Sequence, residues 1–347
     1  MSDQPQPDQP QPDHAQVVPP PGALAIAPGA QLEISAQAVE PSSFAFVVNI
    51  SALIGADRFT IAPNHILRAA TDSEIEIIKT TLAIDEKGQS LFGLKFSPWE
   101  YSFDAHGVST PLDRDAWRYF VIEFQGSNST IVDLEKTFCL TDAELGIAFV
   151  RGVFGHGATF VGHHPGRAYR YVHRNIGDPL PLFTFSQADA DQVVELTALI
   201  QNHDPKTVNV QRLLQQMLDI EELPSKSPLR FLAYFGILES LLTHQPKPSD
   251  PYDSITRQVK TKVALLDNRW TPKLAYAEFG GIEPAKLWGK MYDYRSRLAH
   301  GDPVAFDKEL KELVNAETVL HLLKSTVKAV ARLALREPQL VADLKNC

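Results

Sequence analysis

The chain has 347 residues, enough for roughly two domains at about 150 residues each and for at least one sizeable core. Hydrophobic residues make up 44% and charged residues 22%, as in an ordinary globular protein, and no apolar run reaches the roughly 18 residues a membrane span needs. The net charge of -9 is uneven: residues 1–186 carry 21 acidic and 12 basic side chains, and residues 187–347 carry 21 of each. A nucleic-acid-coating protein would be basic overall, so that class is excluded; a local basic cleft is not, because residues 247–297 hold 10 basic and 6 acidic side chains.

The N-terminus is Pro-, Gln- and Asp-rich, not basic and then apolar, so no secretory signal is predicted and a cytoplasmic location is expected. Cys139 and Cys347 cannot form a disulfide framework, and without a Cys-x-x-Cys pair no zinc ribbon is expected. Eight prolines in the first 30 residues predict a disordered Pro/Gln-rich tail over residues 1–34.

Residues 35–186 read as a mixed α/β domain of unknown role. Phe44, Phe46, Val48 and Ile50 have the period of a half-buried strand, and residues 117–124 form a second, aromatic-rich one. Thr71 to Glu74 is a capping box opening a helix with Ile75, Ile78 and Leu82 on one face. Thr141 to Glu144 has the same signature and predicts a helix to about Val153. A strand pair is expected over 158–173.

From Gln187 the pattern turns helical. Helices are predicted at 188–202, 206–221, 228–244 and 252–267, the third from Phe231, Phe235, Leu238 and Leu242. Pro284 opens another that runs to His300, and Gly301-Asp302-Pro303 stops it. Asp302 and Pro303 then predict the start of a long last helix to Arg336. Residues 187–336 thus form an all-α bundle of five or six helices, with 337–347 as a tail. The fold class is α+β overall.

Among candidate sites, His156, His163, His164 and His173, with Cys139 upstream, match no zinc spacing, so no metal and no cofactor is expected. Gly155-His-Gly157 and Gly280-Gly281 lack the spacing of phosphate loops, and His244 reads as a helix-end residue. The informative stretch is Tyr294-Arg-Ser-Arg-Leu-Ala-His300-Gly301. An Arg supplies a phosphate anchor and a His a proton shuttle. Three other Arg–His pairs of similar spacing exist (Arg58/His65, Arg151/His156 and Arg167/His173), but only Arg295 lies in a strongly predicted helix and precedes a polar Ser296. Five residues of helix turn a chain by about 500°, leaving the two side chains about 140° apart. Convergence therefore requires His300 to leave the helical register at Gly301.

This arrangement resembles the HEPN superfamily, most closely its ApeA-like branch. The carrying residues are Tyr294 to Gly301 and the earlier helix Arg230-Phe-Leu-Ala-Tyr-Phe-Gly-Ile-Leu-Glu-Ser-Leu-Leu242, and the resemblance covers about residues 187–336. It implies a metal-independent RNase of the kind found in toxin–antitoxin and antiviral phage-defence systems. Arg295 and His300 would be catalytic, with Ser296 and Glu239 supporting them and Glu239 a plausible partner of Arg295. RNA or a nucleotide is the implied partner, with a homodimer supplying the second proton-transfer group. Arg297 could hold a further phosphate. Tyr292 and Tyr294 could stack on bases or belong to the core. The alternative is a non-catalytic HEPN module that binds nucleotide or protein, in which Arg295 pairs with Glu239 or Asp293 and His300 caps a helix end.

Overall fold

The structure, a computed structural model, describes residues 43–83, 101–103, 108–113, 116–153, 159–172, 181–246 and 253–347. The Pro/Gln-rich tail, and the histidines His156 and His173, lie outside them. The chain is mixed α+β: an antiparallel sheet region comes first and a helical region follows.

The sheet is built from β1 (Ser43–Val47), β3 (Arg58–Ala62), β4 (His65–Ala69), β7 (Phe120–Phe124), β8 (Ile147–Val153) and β9 (Thr159–His163). Their order is β3-β4-β7-β1-β8-β9, every neighbour antiparallel. β2 (Ile50–Ile54) pairs in parallel with β10 (Phe183–Ser186), and β5 (Tyr101–Phe103) with β6 (Ser109–Pro111). β1 is buried on both faces, not half-buried as its alternation suggests. Phe44 and Phe46 join one core with Ile75, Ile78 and Leu82 of α1 (Asp72–Ala83) and Ala168 and Tyr171 of α3 (Pro165–Val172). Ala45 and Val47 join the other with Ile131, Leu134 and Phe138 of α2 (Ser129–Phe138). The small residues between the phenylalanines are apolar, so a second helix layer can cover them.

The two capping-box signatures meet different fates. Thr71 and Glu74 form the box: the Thr71 N–H donates to Glu74 Oε2 at 2.8 Å, and the Glu74 N–H to Thr71 Oγ1 at 3.3 Å. No helix follows Thr141. Its hydroxyl donates to the Phe138 and Ala143 carbonyls at 3.0 and 2.8 Å, and the Glu144 carboxylate goes to lysines further along the chain. The apolar run Ile147-Ala-Phe-Val then enters the sheet as β8, where β1 and β9 satisfy its backbone. The predicted strand pair over 158–173 is one strand, β9, followed by a helix opened by Pro165.

The helical region comprises α4 (Gln187–Gln201), α5 (Val210–Glu221), α6 (Pro228–Leu242), α7 (Ile255–Asp267), α8 (Pro284–His300), α9 (Ala316–Arg336) and α10 (Pro338–Asn346). α4 serves both regions: Ala190 and Val193 pack with the sheet core, Leu196 and Ile200 with the helical core. α6 is the central helix, packing on α5, α7, α8, α9 and α10. Its Phe231, Phe235, Leu238 and Leu242 are buried as the sequence stripe predicts.

Two predictions at the C-terminus need correction. The long last helix starts at Ala316, not Pro303. Leu310 and Leu313 are drawn into the core around a short 3-10 turn (Lys311–Leu313), Val314 takes a positive φ of 64° in a γ-turn closed by the Asn315 N–H on the Leu313 carbonyl at 2.7 Å, and Asn315 caps α9 by accepting the Thr318 N–H at 2.9 Å. Residues 337–347 are not a tail: Pro338 opens α10, whose Val341 and Leu344 are buried against the bundle.

Candidate functional site

α8 carries the Arg–His motif. Leu287, Trp288, Met291 and Tyr294 are its buried residues, spaced to face the bundle. The helix ends where the glycine allows it. Gly301 takes a left-handed φ of 74°, the Asp302 N–H donates to the Arg297 carbonyl at 2.9 Å, and the Gly301 N–H to Leu298 at 3.4 Å. This paired closure is a Schellman motif, with His300 the last helical residue. His300 therefore does not leave the register. On an ideal helix that register sets it about 140° around the axis from Arg295.

Arg295 is one-third exposed, and its Nη2 donates to Glu239 Oε2 on α6 at 3.3 Å. The other carboxylate oxygen, Oε1, is buried without a hydrogen-bond partner among the described residues. The Arg295 guanidinium also sits 5.9 Å from the Tyr292 ring centre, within cation–π reach. Tyr292 in turn packs edge-on against Phe235 of α6, centroids 6.0 Å apart. Arg295 is thus held from two sides at the surface of the bundle.

The remaining motif residues divide. Tyr294 is only 3% exposed, between Phe231 at 4.6 Å and Phe306 at 5.3 Å. It is a core residue and cannot stack on a base. Arg297 is tied back to the loop after α8 by a 3.1 Å bond to the Pro303 carbonyl. Ser296 is half-buried, and His300 is exposed with no hydrogen bond or ion pair among the described residues. Of the decoy pairs, His65 is buried, with Nδ1 2.7 Å from the Pro63 carbonyl and Nε2 2.9 Å from Thr130 Oγ1. In the histidine cluster, His164 faces Glu135 at 3.2 Å, where Arg167 also binds at 2.6 Å. Among the described residues no group of three His, Cys, Asp or Glu side chains is placed to hold a metal.

Sequence reasoning missed a second charged constellation. Glu221, at the end of α5, accepts from Tyr234 at 2.7 Å, pairs with Lys324 at 2.8 Å and also binds Arg230. Lys324 and Lys328 of α9 both pair with Glu144, and Lys328 donates to the Thr141 carbonyl at 2.6 Å. Arg332 closes the row on the Leu140 carbonyl and Asp142, both at 2.6 Å. Burial works to raise the Glu221 carboxyl, but Lys324 and Arg230 outweigh it and hold it well below the usual carboxylate range. Burial and Glu221 together push the Tyr234 phenol up. No local signal marks this network, because its members lie up to 192 residues apart and meet only in the fold.

No family model matches the chain, and neither a curated protein nor a solved structure matches it significantly. No helix among the described residues is long and apolar enough to cross a membrane.

Proposed function

We propose that the chain is a HEPN-type, metal-independent endoribonuclease that works as a pair of copies, in the setting of phage defence or a toxin–antitoxin system. The observation that carries this reading is Arg295: a guanidinium anchored at Glu239 and Tyr292 yet one-third exposed, with an exposed His300 five residues on at the end of the same helix. Arg295 binds phosphate oxygens and stays charged as negative charge builds on them. His300 takes the proton from a ribose 2′-OH, and that oxygen attacks the adjacent phosphorus. The P–O5′ bond breaks, the 5′ oxygen takes a proton from the second copy's protonated His300, and the products are a 2′,3′-cyclic phosphate and a 5′-OH. Arg295 and His300 sit about 140° apart around α8, and on this reading a second copy supplies the opposing residues.

One observation favours the alternative, a non-catalytic module that binds nucleotide or protein. The Arg295 guanidinium already has a carboxylate partner, which any phosphate must share or displace. Labelled RNA incubated with purified protein in EDTA separates the two. Cleavage to cyclic-phosphate ends, lost by about 10²–10⁴-fold in His300→Ala, supports the nuclease. RNA binding without cleavage supports the module. Cleavage by folded His300→Ala at the wild-type rate overturns the assignment of His300.

A further inference from the structure

His244, just past the end of α6, is held on both sides of its ring by groups that only accept. Its Nδ1 lies 3.0 Å from the Lys345 carbonyl, in the last turn of α10, and its Nε2 lies 3.1 Å from Asp253 Oδ2, just before α7. A carbonyl and a carboxylate carry no proton to give. The ring bonds to both only as imidazolium, with a proton on each nitrogen.

The surroundings fix this geometry. Gln258 of α7 clamps the His244 backbone, its Oε1 accepting the His244 N–H at 2.9 Å and its Nε2 donating to the His244 carbonyl at 3.2 Å. The same Nε2 donates to Asp253 Oδ1 at 2.7 Å. From α7, Lys262 also reaches the Lys345 carbonyl, at 3.4 Å. Burial pushes the Lys262 ammonium down, against the opposing pull of Cys347 and Asp253. A second positive group thus faces the same carbonyl, and Asp253 is the carboxylate that directly pairs with the imidazolium. The carbonyls at the end of α10 form the negative pole of that helix, which a cation stabilises.

We infer that His244 is a proton-operated latch for the C-terminal helix: closed across α6, α7 and α10 when the imidazole carries two protons, and short of one bond when it carries one. α10 is also one wall of a cleft of about 490 Å³ that it shares with α5 and α6, with Arg212, Ser240, Val341 and Lys345 among the lining residues. Opening the latch loosens that wall, which Val341 and Leu344 still anchor.

Hydrogen exchange of the intact protein tests this, with α10 amide protection corrected for the intrinsic pH dependence of exchange and followed from pH 5.5 to 8.5. In the wild type, protection along α10 should fall about tenfold as the pH rises, the size of a lost charge-assisted bond, while α9 holds steady. His244→Gln should sit at the weaker level throughout. Asp253→Asn should lower α10 protection at the acidic end of the range, since the cation loses its counter-charge, and it serves if His244→Gln does not fold. A flat wild-type profile, the same fall in His244→Gln, or an Asp253→Asn profile that coincides with wild type overturns the latch.

Discussion

Arg295 on α8 and Glu239 on α6 face each other at 3.3 Å, and the pair joins the motif helix to the centre of the bundle. Glu239 is the more deeply placed of the two, its side chain 16% exposed against 33% for Arg295. Removing the arginine therefore leaves a mostly buried carboxylate without its cation. Arg295→Ala should destabilise by about 1–2 kcal/mol, and Glu239→Gln by less. A double-mutant cycle in urea should give a coupling of about 1 kcal/mol. If Glu239 positions Arg295 for RNA, Glu239→Gln also changes kcat or KM for cleavage. A pair that only stabilises leaves both unchanged.

The two motif tyrosines should separate cleanly. Tyr294 is enclosed by Phe231 and Phe306, so Tyr294→Ala should cost about 3–5 kcal/mol. Tyr292 is half-buried, and Tyr292→Ala should cost about 1–2 kcal/mol and loosen Arg295. Equal costs in chemical denaturation would contradict this placement. The same reasoning shows that His65→Ala is not a neutral control for His300→Ala, although Arg58 and His65 have a similar spacing. His65 is buried with both ring nitrogens engaged, so its loss acts through stability.

What the sequence made legible was local. The span Pro284 to His300 could be read because a proline starts the helix and a glycine ends it, and both signals act within a few residues. The pairing of Arg295 with Glu239 was within reach because the stripe on α6 places Glu239 on its flank. The direction of His300 was not legible: a helix followed by Gly301 can close with its last residue in register or out of it, and two backbone hydrogen bonds decide. The Thr141 box failed for a related reason. Glu144 is drawn to Lys324 and Lys328 on α9, some 180 residues away, and a long-range ion pair outcompetes the local cap.

The two cysteines should differ sharply in reactivity. Burial, and then the nearby Glu221, push the Cys139 thiol up to about 12, so almost no thiolate exists near neutral pH. Cys347 is exposed. A thiol-reactive disulfide reagent at pH 7.5 should modify one thiol per chain quickly, at Cys347, and the second only as the protein unfolds. Mass spectrometry of the labelled peptides locates the sites. Cys139 is half-buried, so fast labelling of it in native protein would mean that its thiol is not held up by burial and Glu221.

The buried ionic row predicts an acid dependence with a definite sign. In the folded chain the Glu144 and Glu221 carboxyls are both held below their usual range: burial opposes this, and the lysines, with Arg230 at Glu221, outweigh it. The unfolded chain therefore binds more protons than the folded one as the pH falls past about 4.3, and stability is lost in that direction. Glu221→Gln leaves Arg230 and Lys324 short of a counter-charge and should cost about 3 kcal/mol at pH 7. Glu144→Gln should act similarly through Lys324 and Lys328. Below about pH 4 the wild type begins to lose what the variants already lack, so the gap between them should narrow. Denaturant titrations at pH 7, 5 and 3.5 measure it. A gap that stays constant across that range would mean that the two carboxylates keep their ordinary affinity for protons in the fold.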